Sequence, residues 1–556
     1  MPGLISTLYS SYSGMSVSQM NIQTTSHNIN NMNTPGYTRQ QVVQTQRSAY
    51  SYPGYNSYMG AGQIGQGVQA DDVVRIRNSF HDFQFRNETH EYGATAKKYE
   101  NFRHMETIFN EPSDSSISSA YNDFYMSWHE LSKRPGDAGS IDVVIQNTKF
   151  LSQNISNVTD KLSSMKEQIN TDLEENLKSI NSSIEKLRGL QKDIKLVEGS
   201  GKTPNDLYDE VDRIIDDLSY KMNMNTDETR ELLDSAIQPG NELRYSKDAN
   251  GDITGIYVTR QDGSIVTTDG NVLDHRINKN GEFVTIDKTT GKDMVVKDLS
   301  KAKVSELLDE DGKVYAKVDD MGNIKNDKGQ NIGYVDKTTG EAVMQNGETY
   351  TTKASGMPTS SISGEIQGCI EMNKKIDEYV SNMQTMAQNL ADNINRIVNP
   401  NNNPNGNIIE FDANGNPMLS VVEDAHNILG AIPHDEMVNI AGQMYDLKDE
   451  KVIPVTDNNG NPVLDANGNP KMVSINTYYN DLVQKLGNET SEVIRAESNQ
   501  SKVLNGIESS RMSITGVSLD EEMVNLIQFQ HSYSASAKVI STLDSLLDVV
   551  INGLKR

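Results

Sequence analysis

Two heptad-patterned segments at opposite ends of the chain constrain its folding more than any other feature. Near the start, Leu8, Met15, Ile22 and Ile29 recur every seven residues, and at the finish Leu519, Leu526, Tyr533, Ile540, Leu547 and Leu554 do the same. A seven-residue apolar repeat keeps one seam of a helix turned toward a partner helix. Neither segment has a mate beside it in sequence, so the simplest partners are each other and further copies of the chain. That pattern suits an assembly subunit rather than an enzyme.

The first segment reads as a helix from Leu4 to Met32, with Leu4 extending its seam and a Ser, Thr, Gln and Asn exterior. No Lys, Arg, Asp or Glu occurs before Arg39. Such a helix is weak alone, because its polar residues are poor helix formers and no ion pairs support it. Packing must supply the stability. Asn28, Asn30, Asn31 and Asn33 tolerate turn conformations, and Thr34-Pro35-Gly36-Tyr37 reads as a turn with Pro and Gly at its centre. The last segment opens at Ser518, an expected N-cap, with Glu521 three residues on to complete a capping box. Asp520, Glu521 and Glu522 suit the positive end of that helix. Met523, Gln530, Ala537 and Ile551 are expected as its second seam row.

Between the ends, helices are expected over about 78–111 and 117–133, and along an apolar series from Leu151 to Ile194. A further amphipathic helix carries Leu207, Val211, Ile214, Ile215 and Leu218. From about 243 to 352 the period falls to two, and Asn-Gly or Asp-Gly dipeptides recur at Asn250, Asp262, Asp269, Asn280, Asp311 and Asn346. These are hairpin signals between short strands. Helices return at 363–398 and 476–512, around a loop-rich stretch holding the repeat Asp412 to Pro417, Asp457 to Pro462 and Asp465 to Pro470.

Several familiar chemistries lack the residues or charge they need. The net charge of −26 opposes binding to nucleic acid or an anionic membrane. No run of 18 or more apolar residues is present, so no membrane span is expected, and the N-terminus lacks a cleaved signal peptide's basic start and apolar run. Cys369 is the single cysteine, which rules out an internal disulfide and suits a small packed thiol. Trp128, the only tryptophan, suits packing rather than a ligand platform. Gly60, Gly62 and Gly65 spell a G-x-G-x-x-G that lacks the strand–helix frame of a nucleotide site. Asp412, Asn414, Asn416 and Glu423 imitate calcium-loop spacing, but Pro417 stands where the loop turns on Gly. His90-Glu91 and His129-Glu130 begin a zinc-protease motif whose second ligand positions are Ala94 and Lys133. No catalytic residue, cofactor or metal site is expected.

The terminal motifs carry a resemblance. Ser13-Gly14-Met15, Asn28-Ile29-Asn30-Asn31, Asn33 to Gln40, Ile64 to Val68 with Val74 to Arg77 and Phe80, and Gly516 to Glu522 followed by Asn525-Leu526-Ile527, Gln530, Tyr533, Ala535, Ala537 and Val539-Ile540 resemble bacterial flagellar rod, hook and hook-associated proteins. The likeness is specific over roughly the first 80 and last 45 residues and partial in the helical middle, where Asn205-Asp206-Leu207 and Asp217-Leu218-Ser219 fit but Glu210 to Arg213 departs. The Gly516 to Glu522 entry and the Thr38-Arg39-Gln40 exit point to the hook-associated branch. The resemblance implies a structural subunit of the flagellum that polymerises at the hook tip and joins hook to filament. It also implies export through the type III apparatus to an extracellular position. Implied partners are the chain itself, the hook protein, a second hook-associated junction protein and an export chaperone. Alternatives are a hook or distal-rod subunit, or an adhesin acting through its β-rich lobes.

The expected fold is multi-domain α+β. A discontinuous coiled-coil core would pair residues 1–45 with 513–556, and a mainly helical middle domain would comprise 46–240, 356–398 and 474–512. A β-rich outer domain would span 241–355, and a second loop and β-rich insertion 399–473. Assembly contacts are expected at Leu4, Leu8, Met15, Ile22 and Ile29, at Asn28, Asn31, Pro35, Gly36 and Tyr37, and at Leu519, Met523, Leu526, Gln530, Tyr533, Ala537, Ile540 and Leu547.

Overall fold

The structure, a computed structural model, describes residues 2–47, 65–113, 116–296, 298–309, 311–350, 352–413, 417–455, 463–464 and 468–553. Leu554, the glycines Gly60 and Gly62, Asn414 and Asn416 of the calcium-like count, and Asp457 and Asp465 of the repeat lie outside the described residues. The fold mixes helix and sheet. Its helices are α1 Pro2–Asn31, α2 Ser79–Phe109, α3 Ile117–Lys133, α4 Ala138–Glu198, α5 Asn205–Lys221, α6 Asp227–Ile237, α7 Gly364–Val398, α8 Ala425–Gly430, α9 His434–Asp446, α10 Ile475–Thr515 and α11 Leu519–Asn552. Two compact units form: one of residues 1–90, 178–362 and 502–556, the other of 91–177 and 363–501.

α4 begins 13 residues before the expected series. Asp137 Oδ2 accepts from Ser140 N at 2.9 Å and caps the new end, directly after the Arg134-Pro135-Gly136 break. Ile141, Val144 and Thr148 continue the buried row into Leu151 and Ile155.

In the first unit, strands β1 (Gln40–Gln46) and β2 (Val68–Arg75) form an antiparallel pair. Its sheet lobe contains β3 Asn241–Lys247, β4 Ile253–Arg260, β5 Ser264–Val266, β6 Val272–Ile277, β7 Phe283–Ile286, β8 Asp293–Val295 and β9 Val304–Leu308. The lobe continues with β10 Val314–Val318, β11 Asn323–Asn326, β12 Asn331–Val335, β13 Ala342–Met344, β14 Thr349–Tyr350 and β15 Gly356–Pro358. From β9 to β14 each strand pairs antiparallel with the next. The turns share a local cause. Asp248, Asn278, Asp309, Asp319 and Asn326 each accept, through Oδ1, from the backbone N–H groups two and four residues on. Ile265, Leu273, Ile277, Val304, Leu307 and Ile324 are buried beneath this sheet.

α4 holds the root of the lobe. Asn181 Nδ2 donates to Leu243 O at 2.9 Å, and its Oδ1 accepts from Leu243 N at 2.8 Å. The Arg188 guanidinium donates to the carbonyls of Ile237, Ala236 and Gln238 at 2.6, 3.0 and 2.9 Å. It thereby satisfies the orphan carbonyls that end α6.

The second unit has an aromatic core. Tyr121, Phe124, Tyr125 and Trp128 on α3 are fully buried. Phe109 meets Tyr379 edge-on and stacks on Tyr479. Those two tyrosines donate to Glu489 Oε2 at 2.9 Å and Glu111 Oε1 at 3.0 Å. Cys369 is buried in α7, and burial pushes its thiol up to about 12, so it stays protonated. Among the described residues no helix is long and apolar enough to cross a membrane.

Candidate assembly interface

The two ends of the chain pack together as α1 against α11. Asn28, late in α1, meets Glu522 at the start of α11, while Gly14 faces Ser536, so the helices run antiparallel. Leu4, Leu8, Met15, Ile22 and Ile29 are half-buried, as are Leu526, Tyr533, Ala537, Ile540 and Leu547. Leu519, Met523, Gln530 and Ile551 are exposed. The second inward row of α11 is therefore Glu522, Phe529, Ser536, Leu543 and Val550, three residues after each primary position rather than four. A heptad seam alternates steps of three and four, and here three comes first. α1 has a second covered face, where Ser13, Val17, Asn21 and Asn28 are buried. Its Ser13 Oγ accepts from Val68 N at 3.2 Å. Gly67 makes this approach possible. Its φ is +99°, and a Cβ would collide with Ser13 Oγ and stand 3.0 Å from Ser10 Cα.

The expected helix stop is a clasp. Tyr37 N donates to Thr34 O at 3.2 Å across Pro35 and Gly36, both exposed, and Gly36 has φ +81° as the turn requires. Asn31 donates back to His27 O at 3.0 Å. Buried Asn28 accepts at Oδ1 from Tyr37 Oη (2.7 Å) and Gln40 N (3.0 Å). Its Nδ2 donates to Gln40 O (2.9 Å) and Glu522 Oε2 (3.2 Å). The Glu522 side chain, 2% exposed, also receives Arg39 Nε at 2.8 Å. Arg39 N donates to Thr515 O at 2.9 Å. One asparagine and one glutamate thus join α1, the turn, β1 and α11. The expected capping box does not form. Ser518 is the N-cap but makes no side-chain cap bond. Glu521 pairs instead with Arg39 Nη1 at 3.1 Å, so the pull of Arg39 replaces the local cap.

Beside the clasp, α5 presents Asp206, Asp209, Asp212 and Asp216 along one stripe, at helical spacing. Asp212 takes Arg75, Arg77 and Arg86 at 2.7, 3.0 and 3.1 Å. Asp209 takes Arg75 at 2.9 Å and Thr38 N at 3.0 Å. Asp216 takes Arg86 at 2.7 Å and Arg511 at 2.6 Å, and the Arg511 guanidinium lies over the Phe85 ring. Burial opposes charge on Asp212, but Arg77, Arg75 and Arg86 outweigh it and hold the carboxyl below the usual aspartate value. Burial likewise opposes charge on Arg75, and its bonds to Asp209 and Asp212 outweigh it. Burial, then the charges of Asp206, Asp209 and Glu522, push the Tyr37 phenol up. Periodicity alone picks out the apolar face of α5. The stripe itself is visible at 206, 209, 212 and 216, but its partners lie more than a hundred residues away in sequence.

Outside these contacts the helix pair exposes large apolar side chains among its polar ones. Ile5, Tyr9 and Tyr12 on α1 are exposed, as are Met523, Val524, Ile527, Val539, Leu546 and Val549 on α11, with Tyr12 at 61% and Val524 at 64%. So many exposed large apolar side chains on one helix pair suit burial by further protein. Among the described residues no group of three or more His, Cys, Asp or Glu is placed to hold a metal.

Known proteins match at the same places. The chain matches the descriptions "Flagella basal body rod protein" over residues 8–38, "Flagellar hook-associated protein FlgK helical domain" over 102–241 and "Flagellar basal body rod FlgEFG protein C-terminal" over 508–553. Flagellar hook-associated protein 1 of Bacillus subtilis is 26% identical, over 97% of this chain and 96% of its own. Its Escherichia coli counterpart is 24% identical over 98% and 99%. The solved flagellar hook junction protein FlgK from Burkholderia pseudomallei covers 59% of this chain and 47% of its own at 13% identity, with a TM-score of 0.32 too low to add weight.

Proposed function

We infer that this chain, which belongs to the flagellar rod, hook and hook-associated proteins and has hook-associated protein 1 among its relatives, is a structural subunit joining the flagellar hook to its filament. The observation that carries the reading is the helix pair built from both chain ends. Its inward face is half-buried within one chain, and its outward face is open and carries large apolar side chains. Copies would polymerise as a ring at the hook tip, with the terminal helices toward the inner tube. Leu519, Met523 and Gln530, exposed in one chain, would then face neighbouring copies, and the half-buried seam residues would hold each pair. Hook protein on one side and a second hook-associated protein on the other would complete the joint. The subunit would reach this extracellular site through the type III apparatus with an export chaperone. The role asks for no catalytic group.

Electron microscopy of cells lacking the gene, with an assay for filament protein in the medium, tests the assignment. Hooks without filaments, together with shed filament protein, are expected. Loss of the hooks themselves would move the chain to the hook or rod. Normal flagella would refute the reading and leave the β-rich lobes as the place to seek an adhesive activity.

A further inference from the structure

The acidic stripe of α5 is neutralised by arginine at every position but one. Asp209 and Asp212 share Arg75, Asp212 adds Arg77 and Arg86, and Asp216 holds Arg86 and Arg511. On the neighbouring face, Glu210 and Asp217 pair with Arg213. Asp206 forms no ion pair with lysine or arginine among the described residues. Its Oδ1 accepts from Gln40 Nε2 at 2.8 Å, and its Oδ2 faces His27 Nε2 at 3.7 Å. His27 belongs to the N-terminal stretch that has no Lys, Arg, Asp or Glu, and is its only histidine. It lines a cavity of about 210 Å³ with Asn31, Tyr37, Asp206, Asp209 and Arg213.

The surrounding hydrogen bonds decide which imidazole nitrogen carries the proton. Asn28 Nδ2 must face Gln40 O and the Glu522 carboxylate, which turns its Oδ1 toward Tyr37 and Gln40 N. Tyr37 Oη therefore gives its hydrogen to Asn28 Oδ1. The same hydroxyl lies 3.0 Å from His27 Nδ1, so it accepts there and Nδ1 is the donor. In the neutral ring Nε2 is then a lone pair facing a carboxylate, an unfavourable contact. Adding a proton to Nε2 converts it into an ion pair, with the two atoms 3.7 Å apart.

We propose that His27 and Asp206 form a proton-gated contact between the N-terminal helix and α5, tightened in acid and released toward alkaline pH. The groups facing His27 are Tyr37 after α1 and Asp206, Asp209, Glu210 and Arg213 on α5, with Arg39 and Glu522 beyond Asn28. Every anion in that set except Asp206 already has an arginine partner, so the proton on His27 has one destination. Its charge supplies the cation that the other carboxylates of α5 receive from arginine. The proposal concerns one folded chain and stands whether or not that chain caps a hook.

Hydrogen exchange on the full chain tests it, compared at about pH 5.5 and about pH 8. His27 and Asp206 are 42% and 67% exposed as side chains. The expected gain in acid, corrected for intrinsic rates, is therefore about two- to five-fold in peptides covering 20–40 and 205–213, the range of a partly exposed ion pair. His27→Gln and Asp206→Asn should each abolish that pH-dependent gain and leave exchange at the higher pH little changed. Asparagine retains an oxygen for Gln40, and glutamine carries no switchable charge. The proposal is overturned if either variant keeps the acid gain, or if the parent chain shows none.

Discussion

Asp212→Asn isolates what the charge network beside the clasp contributes. The native carboxylate receives three guanidinium contacts at 2.7, 3.0 and 3.1 Å, with its side chain 19% exposed. The substitution removes the negative charge and turns one oxygen into a donor aimed at a guanidinium, so at least one contact becomes repulsive. Breaking a buried ion pair by removing one partner costs roughly 3–5 kcal/mol. Each guanidinium keeps a second carboxylate (Asp209 for Arg75, Asp82 for Arg77, Asp216 for Arg86), so the lower end applies, about 3 kcal/mol. At about 1.4 kcal/mol per tenfold, that is a loss of roughly two decades of protection. Hydrogen exchange over residues 68–90 and 205–221 reads it locally, which avoids assuming that two units unfold as one. Less than a threefold change there would refute the reasoning, because the arginines would be solvated rather than held. Acid offers an independent check with a definite sign. Since the folded Asp212 carboxyl lies below its unfolded value, its contribution is present above about pH 4 and lost as pH falls below that. Selective loosening of these peptides should therefore appear in strong acid in the parent chain and be largely absent in Asp212→Asn.

Three further perturbations probe other parts of the chain. Gly67→Ala forces a Cβ against Ser13 and Ser10 at positive φ, and should cost about 1–3 kcal/mol, seen as faster exchange in residues 68–75 and 8–20. Arg188→Ala strips the end of α6 of its donor and should destabilise the root of the lobe by about 1–3 kcal/mol, measured by urea unfolding of the sheet. Tyr12→Asp places a charge on the open face of α1 and should leave circular dichroism and thermal melting of the single chain within about 0.5 kcal/mol of the parent. The same variant should abolish rings or tubes in negative-stain images, and normal assembly would remove that face from the interface.

The turns of the β-rich lobe show how far local sequence reaches. Asn-Gly and Asp-Gly pairs mark several of them correctly. The more general signal, an Asx three residues before the glycine whose side chain catches two backbone N–H groups, also covers turns that the pairs miss, such as Asp319 to Gly322 and Asn326 to Gly329. The start of α4 is hidden from local sequence for a comparable reason. A Pro-Gly break reads as a boundary, and Asp137 beside it is an N-cap only when Ser140 is already helical.

Sequence alone determined the two terminal helices, the turn at Pro35 and Gly36, and the β-rich character of the inserted lobe. Each rests on periodicity or on backbone preferences within a few residues. Tertiary structure alone decided the second row of α11. That row is Glu522, Phe529, Ser536, Leu543 and Val550, with polar residues inside and Met523, Val524 and Ile527 outside. Hydrophobicity misleads there because both sides of the helix are apolar, so no moment selects the inward face. It also decided that Asn28 binds Glu522 across 494 positions of chain and that Asp212 gathers three arginines. Partners so far apart leave no spacing to read, and only folding brings their charges within hydrogen-bonding distance.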